Sequence, residues 1–267
     1  GLTSFLYDEK SIPPPAPATV ALIAADSRRP DIPDFTSYDR QALIAHIKSN
    51  FYITIDDSIA PFVEDELRHI AHCLSILPAH FRRYVSMVQT AKFTDGSLGG
   101  YATLDTGIIT LYLLEEAGRG RKNRQWRGGS EAANGNRGQS MPRSDSARQI
   151  ESVFIHEAAH TFDGRANEQE YPAYLRALFA ELNNRSSAGN DYISEYGSTN
   201  KLEDFATMLD HALQDSSLIF ELCATSEHGL QRSGICLAKF LIAFSVLHPG
   251  SEYTWFYKID DDGFLRV

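Results

Sequence analysis

Three cysteines in 267 residues leave little scope for thiol chemistry. Cys73, Cys223 and Cys236 contain no C-x-x-C, the arrangement used by cysteine-ligated zinc and by dithiol redox centres. Long apolar stretches are missing as well: none approaches the roughly 18 residues of a membrane-spanning helix. Positive charge is in the minority, with 25 Lys and Arg against 35 Asp and Glu and a formal net charge of −10, which argues against nucleic acid as a main partner. The chain lacks a G-x-S-x-G elbow, a Walker loop and a dinucleotide fingerprint leading into a helix, so those three chemistries have no signature here. What remains is the composition of an ordinary globular protein, 43% hydrophobic and 11% aromatic. A chain this long buries roughly 70 to 75% of its unfolded surface, enough for one large domain or two lobes around a cleft.

The few cysteines still carry an expectation. Cys223 and Cys236 flank a polar, turn-like segment between two apolar helical stretches, which suits one disulfide clamping a helix pair, with Cys73 left as a buried thiol. The chain begins at Gly1 and carries one glycosylation sequon, Asn184-Arg185-Ser186, both expected of a secreted, extracellular protein whose signal peptide has been removed.

Along the chain, residues 1–36 hold most of the proline clustering (Pro13, Pro14, Pro15, Pro17, Pro30, Pro33) and read as an extended arm. Helical spacing appears at 38–48, 61–77, 171–182, 201–213 and 235–247, and strand-like runs at 51–55, 85–91 and 107–114. Residues 107–114 are expected to form an edge strand ahead of the central helix, with free backbone groups able to pair with an extended peptide. Residues 117–144 are rich in Gly, Asn and Arg and read as a long basic loop, either a solvated insertion or a rim anchored by Trp126. The amino half is mixed and the carboxy half helical, which predicts an α+β fold of two lobes with the central helix between them.

That helix carries the chemistry. His156-Glu157-Ala158-Ala159-His160 is an H-E-x-x-H pattern within apolar positions Ile150, Val153, Phe154, Ala158 and Phe162 that recur at helical spacing. Ser146 and Gln149 make a capping box at its start, and Gly164 supplies a stop. Four helical residues turn through about 400° and rise about 6 Å, so both imidazoles leave one face and can share an ion. Glu157 travels with them, beside the ion, where a carboxylate can take a proton from water.

Two histidines need a third protein ligand for a catalytic zinc. Asp163 and Ala166 stand where the extended metzincin motif has Gly and His, which excludes that class. Glu203 on the helix 201–213 is the foremost candidate, although Asn200 three residues earlier makes it equally a capping-box glutamate. Glu195, Asp204 and Asp210 remain open, and Asp163 and Asp210 could orient the ligand imidazoles. His211, His228 and His248 stand alone. His69 and His72 are spaced for a metal but lack an evident acidic partner.

The H-E-x-x-H helix, followed by Tyr196 seven residues ahead of Glu203 in Tyr196-Gly-Ser-Thr-Asn-Lys-Leu-Glu203-Asp-Phe-Ala206, resembles the catalytic domain of anthrax lethal factor and the bacterial Pro-Pro endopeptidases. The likeness covers about 100 residues, and its specific part is these positions and their spacing. It implies a zincin-like metallopeptidase domain over 37–267, with Zn2+ held by His156, His160 and Glu203, Glu157 as general base and Tyr196 facing the zinc water. It further implies a zinc-dependent endopeptidase acting as a monomer on peptide or protein substrates, without nucleic acid or membrane. The competing expectation is a non-proteolytic zincin-fold binding protein or secreted effector acting through the basic loop or the arm.

Overall fold

The structure is a computed structural model that describes residues 32–92, 99–113, 145–214, 233–248, 258–259 and 265–266. The Pro-rich arm up to residue 31, the basic loop 117–144 with Trp126, His228 and Cys223 lie outside these residues. The described residues make seven helices, a four-stranded mixed sheet and a separate short antiparallel pair, Lys258–Ile259 with Leu265–Arg266, an α+β arrangement. They fall into two compact units, one within Arg29–Asn167 and one within Glu168–Val267.

The first unit opens with α1 (Arg40–Phe51), capped by the Asp39 side chain, which accepts from the Ala42 amide. After β1 (Thr54–Asp56) comes α2 (Glu64–Ile76), whose first turn holds Glu64, Asp65 and Glu66 where the positive end of a helix favours carboxylates. Its inner face is Leu67, Ile70, Ala71 and Leu74, all fully buried. A short α3 (Ala79–Arg82) leads to β2 (Met87–Lys92), β3 (Gly100–Thr103) and β4 (Ile108–Leu113), and then to the 21-residue α4 (Asp145–Arg165).

The sheet order is β1-β2-β4-β3, with β3 antiparallel to β4 and the other pairs parallel. This corrects the edge assignment. Residues 108–113 are flanked by strands on both sides, and the rim beside them is β3, whose four residues are too few to show alternation in the sequence. The turn into β4 closes at Gly107, at φ +72°. A Cβ there would lie 2.0 Å from the Tyr84 carbonyl oxygen, so glycine is required twice over. At Gly100 a Cβ would come within 2.8 Å of the Thr110 carbonyl oxygen and 3.0 Å of Val153 Cγ1, so its absence lets the rim strand lie close on α4.

The five apolar positions of α4 read from its periodicity, Ile150, Val153, Phe154, Ala158 and Phe162, are all buried. Phe162 stacks on Phe81 with ring centres 3.6 Å apart, and His80 and Tyr84 meet it edge-on. Cys73 is buried on α2, its Sγ 3.8 Å from the Glu151 carbonyl oxygen.

The second unit contains α5 (Ala173–Arg185), α6 (Lys201–Gln214) and α7 (Gly234–Leu247), with single 3-10 turns at Gly189–Asp191 and Tyr196–Thr199. Residues 235–247 are buried all round, as expected of a helix that is apolar on every face. Phe205 of α6 is stacked by Tyr171 at 4.8 Å and met edge-on by Phe179 at 5.1 Å. Among the described residues there is no disulfide, and with Cys223 outside them the Cys223–Cys236 closure stays an expectation.

Candidate metal centre

On α4, His156 and His160 project from one face with their Nε2 atoms 3.1 Å apart and their rings nearly perpendicular, at 88°. Two nitrogens that share an ion through bonds of 2.0–2.1 Å at a tetrahedral angle stand ~3.3 Å apart, so the pair already has the spacing of metal ligands. Glu157, next in sequence, is only 8% exposed. The burial of this stretch follows from the apolar residues on either side of it, which hold the middle of a long helix, away from fraying ends, against α2 and the sheet.

Glu203 lies in the first turn of α6. One donor atom from each of His156, His160 and Glu203 lies within 4.8 Å of the others, the one such grouping of His, Cys, Asp or Glu among the described residues. Glu195, Asp204 and Asp210 are not part of it. The capping interpretation of Glu203 is half met: Asn200 Oδ1 accepts from the amides of Leu202 and Glu203, at 2.9 and 3.1 Å. Asn200 thus caps the helix with its own side chain. Two imidazoles and one carboxylate make a donor set that could hold a metal ion.

Tyr196 opens the 3-10 turn that precedes α6 and is 38% exposed. Gly197 packs that turn on α6. Its amide donates to Ser194 Oγ at 3.3 Å, and a Cβ there would sit 3.4 Å from Asp204 Oδ1 and 3.8 Å from Thr207 Cβ. Tyr196 and Glu203 are therefore carried by one scaffold. Asp210 is fully buried on α6, and Asp163 lies three residues beyond His160 on α4.

Asp204 takes part in a separate polar junction. Both Asp204 and Lys239 are 0% exposed, with Lys239 Nζ 2.7 Å from Asp204 Oδ2. Asn183 Nδ2 donates to the same oxygen at 2.8 Å, and Lys239 also reaches Ser186 Oγ at 3.0 Å and the Tyr192 ring at 4.1 Å. Burial pushes the Asp204 carboxyl above its ordinary range, against the opposing pull of Lys239 and Asn183.

Sequence reasoning missed Glu151. It supplies the acidic partner that His69 and His72 lacked, reaching across from α4 to α2 over a separation of 82 residues from His69 that no linear spacing reveals. His69 Nδ1 is 3.0 Å from Glu151 Oε1. His72 Nδ1 is 2.9 Å from the same oxygen. Burial alone would raise the Glu151 carboxyl; the two imidazoles outweigh it and bring its pKa down to about 2. His211, buried on α6, has Nδ1 2.9 Å from the Thr207 carbonyl oxygen and is accounted for as a core histidine.

Comparison with protein-family models, with curated proteins and with solved structures finds no match for this chain.

Proposed function

We propose that the chain is a zinc-dependent endopeptidase. The observation that carries this reading is the convergence of His156 Nε2 and His160 Nε2, 3.1 Å apart, with a Glu203 carboxylate oxygen within 4.8 Å and Glu157 next to His156 in the same helical turn. His156, His160 and Glu203 would hold the ion. When bound, zinc would lower the pKa of a water towards neutrality and polarise the scissile carbonyl. Glu157 accepts the proton of the attacking water and returns it to the leaving amine. Tyr196 donates a hydrogen bond to the carbonyl oxygen as that atom gains charge. The extended substrate pairs along β3, the rim strand that lies on α4 through Gly100.

Elemental analysis of the purified protein, followed by profiling of a peptide library with and without a chelator, tests this reading. The expected outcome is one zinc per chain and cleavage that stops when the metal is removed. Glu157→Gln keeps the zinc and loses hydrolysis. A protein that neither carries zinc nor takes it up on titration ends the reading; full turnover by Glu157→Gln removes Glu157 as the base.

A further inference from the structure

We infer that the buried Lys239–Asp204 ion pair is a positioning device for the third metal ligand, a role that rests on the zinc reading above. Glu203 stands in the first turn of α6, where helices fray and where a side chain's direction is least fixed by the helix itself. Asp204 follows it immediately. Neighbouring residues on an α-helix project about 100° apart around the axis, so whatever fixes Asp204 fixes the direction in which Glu203 leaves the helix. Asp204 is held from outside α6, by Lys239 of α7 at 2.7 Å and by Asn183 of α5 at 2.8 Å, both on Oδ2. Three helices thus meet on one carboxylate oxygen.

Cohesion alone does not call for this arrangement. A charge pair taken wholly out of water loses in desolvation about what its attraction returns, and a well-packed apolar pair of similar volume serves a core as well or better. Lys239 stands in the middle of a helix that is otherwise apolar at every neighbouring position, from Ile235 to Phe244. What an ion pair adds over an apolar pair is direction, because it is satisfied in one rotation of α6 and lost in the next. Asp204 has a second effect. Its Oδ1 faces Gly197, and the Tyr196 turn lies on α6 through that glycine, so one residue sets both Glu203 and Tyr196.

The test uses the full-length double variant Asp204→Leu/Lys239→Met, which removes both charges and leaves neither unpaired. Circular dichroism establishes that it is folded, and zinc affinity is read by competition with a chromogenic chelator, with the Co2+ spectrum as a second readout. The expected result is a folded protein whose zinc affinity is lower by ~10-fold or more, the loss typical when a residue that orients a ligand is removed. A packing role alone predicts a changed melting temperature with wild-type zinc affinity, and that result overturns the inference. If the double variant does not fold, Asn183→Leu leaves the charges paired while removing one of the two outside holds; it is expected to weaken zinc binding several-fold, and unchanged affinity overturns the inference. A wild-type protein that binds no zinc overturns the metal reading itself. It is distinguishable from failure of the positioning role, in which wild type and variants bind zinc equally well.

Discussion

Glu203 and Tyr196 come from one short stretch of chain, yet the proposed zinc reading assigns them different work. Glu203→Ala leaves two protein ligands and is expected to lose most of the bound zinc, measured as metal content after dialysis. Tyr196→Phe removes one hydroxyl and keeps the ring, so it is expected to lower kcat by about 10²-fold with metal content unchanged. A Glu203→Ala protein with full zinc would return Glu203 to a capping role. An unchanged kcat in Tyr196→Phe would remove the oxyanion donor. At this scale the sequence pointed to the grouping of His156, His160 and Glu203, because the five residues of H-E-x-x-H put two imidazoles one helical turn apart and the Tyr196 to Glu203 stretch encodes a turn followed by a cap. It did not reveal Glu151 or Lys239, whose partners are 82 and 35 residues away and meet them only through packing.

Among the elements, α4 was legible because its apolar positions repeat with the helical period and all five are buried. The rim strand was not: Gly100-Tyr-Ala-Thr is short, opens on a glycine and shows no alternation, so the role of edge went to the more hydrophobic β4 beside it. A strand flanked on both sides reads as a continuous apolar run, and Ile108-Ile-Thr-Leu-Tyr-Leu is closer to that than to an exposed rim. The glycines give this correction a test. Gly100→Ala drives a methyl group into the Thr110 carbonyl oxygen, on backbone that cannot swing aside, and is expected to cost about 1–3 kcal/mol of unfolding free energy in denaturant titration. Gly197→Ala meets its neighbours at ordinary contact distance, 3.4 Å and beyond, and is expected to leave stability nearly unchanged. Equal effects at the two positions would mean that β3 does not lie on α4 as described.

For the molecule as a whole, the Glu151 clasp between α2 and α4 predicts a particular acid sensitivity. Its folded pKa, about 2, is below the unfolded value of 4.5, so its contribution is fully present above pH 4.5 and is lost as pH falls through about 2. The fall from 4.5 to about 2, at about 1.36 kcal/mol for each tenfold change in proton affinity, sets an upper value of about 3 kcal/mol. Glu151→Gln is therefore expected to be less stable than wild type at pH 6, with the gap narrowing between pH 4.5 and 2, measured by urea unfolding of the metal-free proteins. A gap that stays constant across that window would mean the carboxylate is not held by the imidazoles.

The sheet's two rims have a bearing on how the protein behaves at high concentration. An exposed strand edge is a template on which a second molecule can add its own strand, the usual beginning of aggregation. Among the described residues the rims are β1, three residues long, and β3, four residues long, on opposite sides of a sheet whose longer strands, β2 and β4, are both interior. A stray strand landing on either rim would find a ladder of only two or three hydrogen bonds, too few to repay the freedom it gives up unless, as proposed for a substrate on β3, other contacts hold it as well. Among the described residues, the sheet keeps its longest adhesive stretches to itself and offers the outside only brief ones.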